Sequence, residues 1–171
     1  WEYLLDEAIF TSPAHPNWGG TGLIGGDGEL LGVGSLFIQH ETVGDEIVDG
    51  NMVVPIDLLA PIIDDLLTMG RPNKKARPWL GLFGAESEGA VVVAALTEGG
   101  PAHDADVEVG DIVRAVAGNE IGSLAEFFRN IWSIGPAGVE VPLLIERDGE
   151  VLEIYISSVA RSDMLKGPRL H

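Results

Sequence analysis

Two Asp-Gly pairs, Asp27-Gly28 and Asp148-Gly149, lie between apolar runs and constrain this chain more than any other feature. An Asp-Gly dipeptide supplies the backbone of a tight hairpin turn. The flanking runs, "ELLGVGSLFIQ" at residues 29–39 and the two arms of "EVPLLIERDGEVLEIYISSV", are therefore predicted strands. "NMVVP", "WLGLFG", "GAVVVAAL" and "DIVRAVAG" are equally short runs and read the same way, and residues 1–39 share this extended texture broken by Pro and Gly. Two segments depart from it. "DLLAPIIDDLLTMG" sets Leu58, Leu59, Ile62, Ile63, Leu66 and Leu67 on one helical face, with Asp57 placed to cap the helix and Gly70 to end it. Pro61 falls in or near the first turn of that helix, where few backbone bonds are lost. "SLAEFFRNIW" opens on Ser123 with Glu126 three residues on, a capping box. The predicted class is mainly β with two helices, α+β.

The segments between strands set the organisation. "HETVGDEIVDG", residues 40–50, reads as an acidic loop, and "RPNKKARP", residues 71–78, is a Pro-flanked linker holding four of the ten basic residues. This gives a first domain over residues 1–70, a second over 79–160 and a tail over 161–171, with no internal repeat. The chain carries 27 acidic residues against 10 basic ones, a formal charge of −17, which repels phosphate backbones and anionic membrane surfaces. Nucleic acid is not an expected partner. With no cysteine, disulfides, thiol catalysis and Cys-ligated metal sites are excluded. No apolar run approaches the roughly 18 residues of a membrane span, and the acids in "WEYLLDEAIF" do not suit a signal peptide. The chain starts at Trp1 and is read as a soluble piece of something longer.

Within the second domain, "RPWLGLFG", "GGPAHDADVEVGDIV" and the Arg-Asp-Gly hairpin, in that order, resemble a bacterial PDZ domain over most of residues 76–159. Such a fold takes an extended or carboxy-terminal peptide as an added strand at a sheet edge, with apolar side chains entering a pocket beside a helix. The resemblance places Trp79, Leu80, Gly81 and Leu82 at the peptide edge, with Gly81 allowing close approach. It places Phe128 and Ile131, three apart on the helix, at the pocket's other wall. Apolar residues at that spacing also serve as plain core.

A PDZ domain preceded by a helix and a basic linker resembles the layout of the HtrA (Deg) family of trypsin-like proteases. "DEAIFTSPAHPNWGGTGLIGGDGELLGVGSLF" is similar to that family's nucleophile region, and "GNMVVPIDLL" to its segment before the last helix of the protease domain. Residues 1–70 thus resemble only the second β-barrel half. The half that carries the catalytic histidine and aspartate in that family is outside this chain. A half-barrel alone exposes a wide apolar face, so either a longer parent chain or an association, such as a homo-oligomer, is expected to cover it.

A serine nucleophile needs its hydroxyl on a tight turn beside a histidine base and preorganised backbone donors. Matching Asn17-Trp18-Gly19-Gly20 to the motif puts Trp18 at the serine position, whereas holding the downstream hairpin in register puts Gly19 there. Neither can attack a carbonyl. Thr21 falls too late, and Ser12 and His15 lie in a Pro-rich loop with no acid to orient the imidazole. His40, His103 and His171 have no metal-ligand spacing, so neither metal nor cofactor is expected. The G-x-G-x-x-G at Gly20, Gly22 and Gly25 runs into a hairpin rather than a helix, which rules out a dinucleotide fingerprint. The leading reading is a catalytically degenerate HtrA-like protease homologue that binds peptides or unfolded protein segments through its PDZ domain. Competing readings are an active serine endopeptidase using an upstream His and Asp, and a regulatory or assembly subunit of a protease. The resemblance implies an exported, periplasmic location.

Overall fold

The structure, a computed structural model, describes residues 4–41 and 47–164, the side chains of residues 40 and 41 excepted. It divides into two compact units, Leu5–Lys74 and a second that includes everything from Lys75 onward.

In the first unit, strands β1 (Ile9–Thr11), β2 (Gly22–Ile24), β3 (Leu30–Glu41) and β4 (Ile47–Pro55) form one antiparallel sheet in the order β1-β4-β3-β2. The turn between β2 and β3 closes through the Gly25 N–H on the Glu29 carbonyl at 2.8 Å, with Gly28 at a φ of +84°. This is the hairpin that Asp27-Gly28 predicts. β4 reaches back beyond "NMVVP" into the acidic stretch expected as a loop, because Ile47 and Val48 find partners opposite Glu41 and His40. Residues 42–46 of that stretch lie outside the described residues.

The single helix expected from Asp57 to Gly70 is two pieces, a 3-10 turn at Ile56–Leu58 and α1 (Ile63–Met69). Pro61 has no N–H to give to the Asp57 carbonyl, and the chain instead makes three-residue turns, Leu59 N–H to the Ile56 carbonyl and Ile62 N–H to the Leu59 carbonyl. Asp57 consequently caps nothing. Gly70 ends α1 in the left-handed conformation, its N–H on the Leu66 carbonyl at 3.0 Å, as expected.

Little apolar surface is removed from water in this unit. Val53 is the only buried apolar side chain among its described residues, while Phe10, Leu36 and Phe37 are 63%, 49% and 44% exposed.

The second unit contains β5 (Leu82–Ser87), β6 (Ala90–Leu96), α2 (Pro101–Asp104), β7 (Ile112–Val116), β8 (Asn119–Glu120), α3 (Leu124–Ile134), β9 (Glu140–Arg147), β10 (Glu150–Ser157) and α4 (Arg161–Met164). The sheet runs β10-β9-β7-β6-β5, with β8 attached to β7, so β5 is an edge strand. α2 and α4 add to the two predicted helices, and at four residues each they are too short to imprint a period on the sequence.

Alternate residues of β6, β7 and β9, among them Val91, Val93, Val113, Leu143 and Ile145, point to a single core that Phe127 and Ile131 of α3 complete. The β9–β10 turn holds Asp148 and Gly149 at φ values of 52° and 83°, the twin positive angles of a tight hairpin. The capping box of α3 is half as expected. Ser123 Oγ accepts the Glu126 N–H at 3.2 Å, but the Glu126 carboxylate takes the N–H of Gly122, one residue earlier than the motif implies.

One ion-pair cluster fastens the core's margin. Asp111, whose side chain is 1% exposed, accepts two hydrogen bonds from Arg147 at 2.7 Å, and the same guanidinium reaches Glu108 and the Asp106 carbonyl. Burial by itself raises the Asp111 pKa. The Arg147 hydrogen bond, the Glu108 N–H and the Arg147 charge outweigh it and hold the carboxyl below the usual range.

Candidate functional site

The chain enters the second unit through a bridge in which Trp79 and Val159 exchange N–H donors, at 2.9 and 3.1 Å. Trp79 therefore has no backbone donor left to offer. Its ring lies under Gly81, where an added Cβ would sit 3.1 Å from it, and Gly81 itself has a φ of +74°. The left-handed φ favours glycine there, and any Cβ would in addition press on the Trp79 ring.

The next donors are free. Among the described residues, the N–H groups of Leu80 and Gly81 reach no backbone or side-chain acceptor, although the Leu80 carbonyl takes the Ala102 N–H and the Gly81 carbonyl takes that of Thr97. Because Thr97 bonds to Gly81 while Leu82 stands opposite Leu96, Leu82 occupies a non-hydrogen-bonded position and its N–H points away from β6. Leu80, Gly81 and Leu82 thus offer three successive backbone donors at the start of an edge strand.

α3 lies beside that edge. Leu80 and Leu82 face Phe127, Phe128 and Ile131 across a narrow cleft bounded at its mouth by Pro78. Phe127 and Ile131, one helical turn apart, are fully buried, and Phe128 is 7% exposed, its ring edge-on to Phe127 and stacked on Trp132. Phe127 is a core residue that also touches the cleft, and the sequence reading passes over it although its spacing of four from Ile131 is as good a signal as the spacing of three that marks Phe128.

The cleft is closed, with a free volume of about 10 Å³, room for one water at most. Farther along, α3 is fastened to β5. Leu124 packs so near Gly84 that a Cβ there would meet it at 2.8 Å, and Glu86 accepts the Leu124 N–H at 2.6 Å. Glu86 thereby caps the start of the helix from a neighbouring strand. In Glu86→Ala, amide exchange at Leu124 is expected to quicken at least about tenfold while amides of β9 keep their protection, as local opening of one helix end requires. Hydrogen exchange followed by NMR reads both together.

The turn expected to hold a nucleophile, residues 17–21, is in the first unit. It closes through the Thr21 N–H on the Trp18 carbonyl at 3.2 Å and the Gly20 N–H on the Gly34 carbonyl at 2.9 Å. Trp18 is half-buried and Gly19 faces open space. The Thr21 hydroxyl donates to the Asn17 carbonyl and the Ser12 hydroxyl to the Asp49 carbonyl. His15 Nδ1 accepts the Asn17 N–H at 3.2 Å, and the His15 backbone N–H donates to Oδ1 of buried Asn51. Among the described residues, no serine or threonine hydroxyl is bonded to an imidazole.

An edge strand opening on three free donors, with a helix as the facing wall, defines a class, and comparison with known proteins agrees. Residues 78–157 match the PDZ domain family. The serine endoprotease DegS of Escherichia coli (strain K12) is 26% identical over 155 residues, covering 84% of this chain and 42% of that protein. The serine protease Do-like HtrA of Bacillus subtilis (strain 168) is 24% identical over 152 residues, covering 80% and 33%. Among solved structures, the serine endoprotease from Yersinia pestis superposes with a TM-score of 0.52 at 27% identity, covering 81% of this chain and 46% of that one. The HtrA-type protease AlgW with decapeptide shares the fold, with a TM-score of 0.54 at 16% identity over 78% of this chain and 43% of that one. The second unit carries a PDZ domain. The chain as a whole is a PDZ-containing relative of the HtrA serine proteases, and it spans less than half the length of these relatives.

Proposed function

We propose that this chain binds the carboxy-terminal ends of peptides or unfolded protein segments by adding them as a strand to β5. The observation that carries this reading is the run of free N–H groups at Leu80, Gly81 and Leu82 beside the cleft lined by Phe127, Phe128 and Ile131. A terminal carboxylate has acceptors for the first two donors, and an apolar terminal side chain suits the cleft once α3 moves away from β5. Isothermal titration with a peptide ending in an apolar residue should give measurable binding as the free acid and at least about tenfold weaker binding as the amide, since an amide gives the donors a weaker acceptor and no charge. Equal affinity for the two forms would overturn the reading.

The first unit, on the same proposal, is the second half of an HtrA-type protease domain whose nucleophile position no longer bears a hydroxyl. Support comes from the residues themselves: Trp18 and Gly19 at the turn, and hydroxyls of Thr21 and Ser12 that are tied to carbonyls. Incubation with a fluorophosphonate probe and with unfolded casein is expected to give neither labelling nor turnover. Labelling, or turnover that the probe blocks, would establish the active endopeptidase instead.

The apolar side chains left exposed on the first sheet support a second reading, in which that face docks on the other barrel half or on a partner protein. An exported location accords with the relative from Pseudomonas fluorescens named as a probable periplasmic serine endoprotease.

A further inference from the structure

We propose that the cavity between Arg77, Trp132 and Arg161 is a second recognition site of the PDZ unit, one that takes a carboxylate side chain. The cavity has a free volume of about 340 Å³, in the range of small-ligand sites, and is lined by Arg77, Pro78, Trp79, Trp132, Arg161 and Ser162 together with Ala76. No acidic side chain is among the described lining residues. Asp163, the nearest acid in sequence to Arg161, lines a different cavity with Lys75.

The charges are arranged in a way that solvation alone does not require. Carboxylates are abundant in a chain of net charge −17, and Arg114 and Arg147 each hold one or more. Arg77 and Arg161 hold none among the described residues, yet both border one cavity. Arg77 is also positioned, because its guanidinium carbon stands 4.0 Å from the centre of a Trp132 ring. Stacking uses the flat face of the guanidinium and leaves the N–H donors at its edge to meet a planar carboxylate. Arg161 supplies further donors on the lining, whereas the Ser162 hydroxyl is already turned to Asp163 Oδ1 at 3.4 Å.

Position gives the ligand class. Pro78 lines both this cavity and the cleft beside α3, and Trp79 leads directly into the donors of Leu80 and Gly81. A peptide held there has its terminus at the cavity's margin. Resting on the function proposed above, the ligand is a peptide with an apolar terminal residue and a Glu or Asp near it.

Two measurements on the full chain test this. Glutarate, a simple dicarboxylate, is titrated while the Arg77 and Arg161 Nε–H and Trp132 indole signals are followed by NMR. Saturable shifts at these three, abolished in R161Q, support the site. Non-saturating shifts, or equal shifts at Arg71 and Lys74, would mean diffuse attraction by the basic linker and overturn it.

In the second arm, peptides differing only by Glu or Gln at one of the last three positions are compared. One pair is expected to favour Glu about three- to fivefold, a preference that R161Q and Arg77→Gln each reduce. Equal affinities at all three positions would remove the peptide as the source of the carboxylate and overturn the ligand assignment. Saturable glutarate binding without binding of any peptide would leave the anion site standing and sink the β-addition reading.

Discussion

Arg147→Ala is expected to lower the stability of the PDZ unit by about 2–4 kcal/mol, read as a fall in the urea midpoint. The loss exceeds that of a surface ion pair because the partner is stranded. Asp111 is 1% exposed and relies on Arg147 for two of its hydrogen bonds, so truncation leaves a buried carboxylate half-satisfied. The partial exposure of Arg147 keeps the figure below that of a wholly buried pair.

The acid side carries the same signature. A carboxyl whose pKa is depressed by folding contributes fully above its unfolded value, about 4, and loses that contribution as pH falls through the lower folded value. Arg147, whose pKa is raised, stays charged throughout this range. The stability difference between the wild type and Asp111→Asn should therefore be constant from pH 5 to neutrality and shrink below about pH 4. A difference that persists unchanged into that range would show that Asp111 is not held as a paired carboxylate.

Phe127→Ala should cost still more, about 3–5 kcal/mol, because a fully buried ring in the core leaves a cavity that the strands packed against α3 cannot fill. Phe128→Ala provides the contrast. Its ring is the outer one, 7% exposed, and stacks on Trp132 at the lip of the cleft. Peptide affinity should fall by more than stability in that variant, whereas in Phe127→Ala unfolding dominates. Thermal melts paired with titration separate the two roles, and equal stability losses would erase the distinction between core and wall.

The hairpins were legible because their signals are local. Asp148-Gly149 needs only its own two positive φ angles, and Ser123 needs only an N–H three residues on. What escaped the sequence depends on distant partners. Pro61 looked harmless until the absent bond to Asp57 split one helix in two. The sequence places Trp79 at the peptide edge, but Val159, 80 positions away, takes its N–H, so it supports the loop that Leu80 and Gly81 present. Glu86 gave no sign that it would cap a helix begun by Leu124, since strand and helix meet only in the folded unit. The cavity beside Arg161 likewise joins two residues from opposite ends of the PDZ unit, and charge patterning along the chain does not bring them together.

The reciprocal bonds between Trp79 and Val159 make the PDZ unit a domain with a clasp, its incoming and outgoing strands held side by side. A module of this kind can be lifted from one chain and set into another without stretching its ends apart. The clasp is also one residue from the first free donor of the binding loop. Any pull along the linker meets those two bonds first. On the proposed function, a ligand gripping Leu80 and Gly81 would bear on the same joint, and occupancy of the groove would become a mechanical property of the tether.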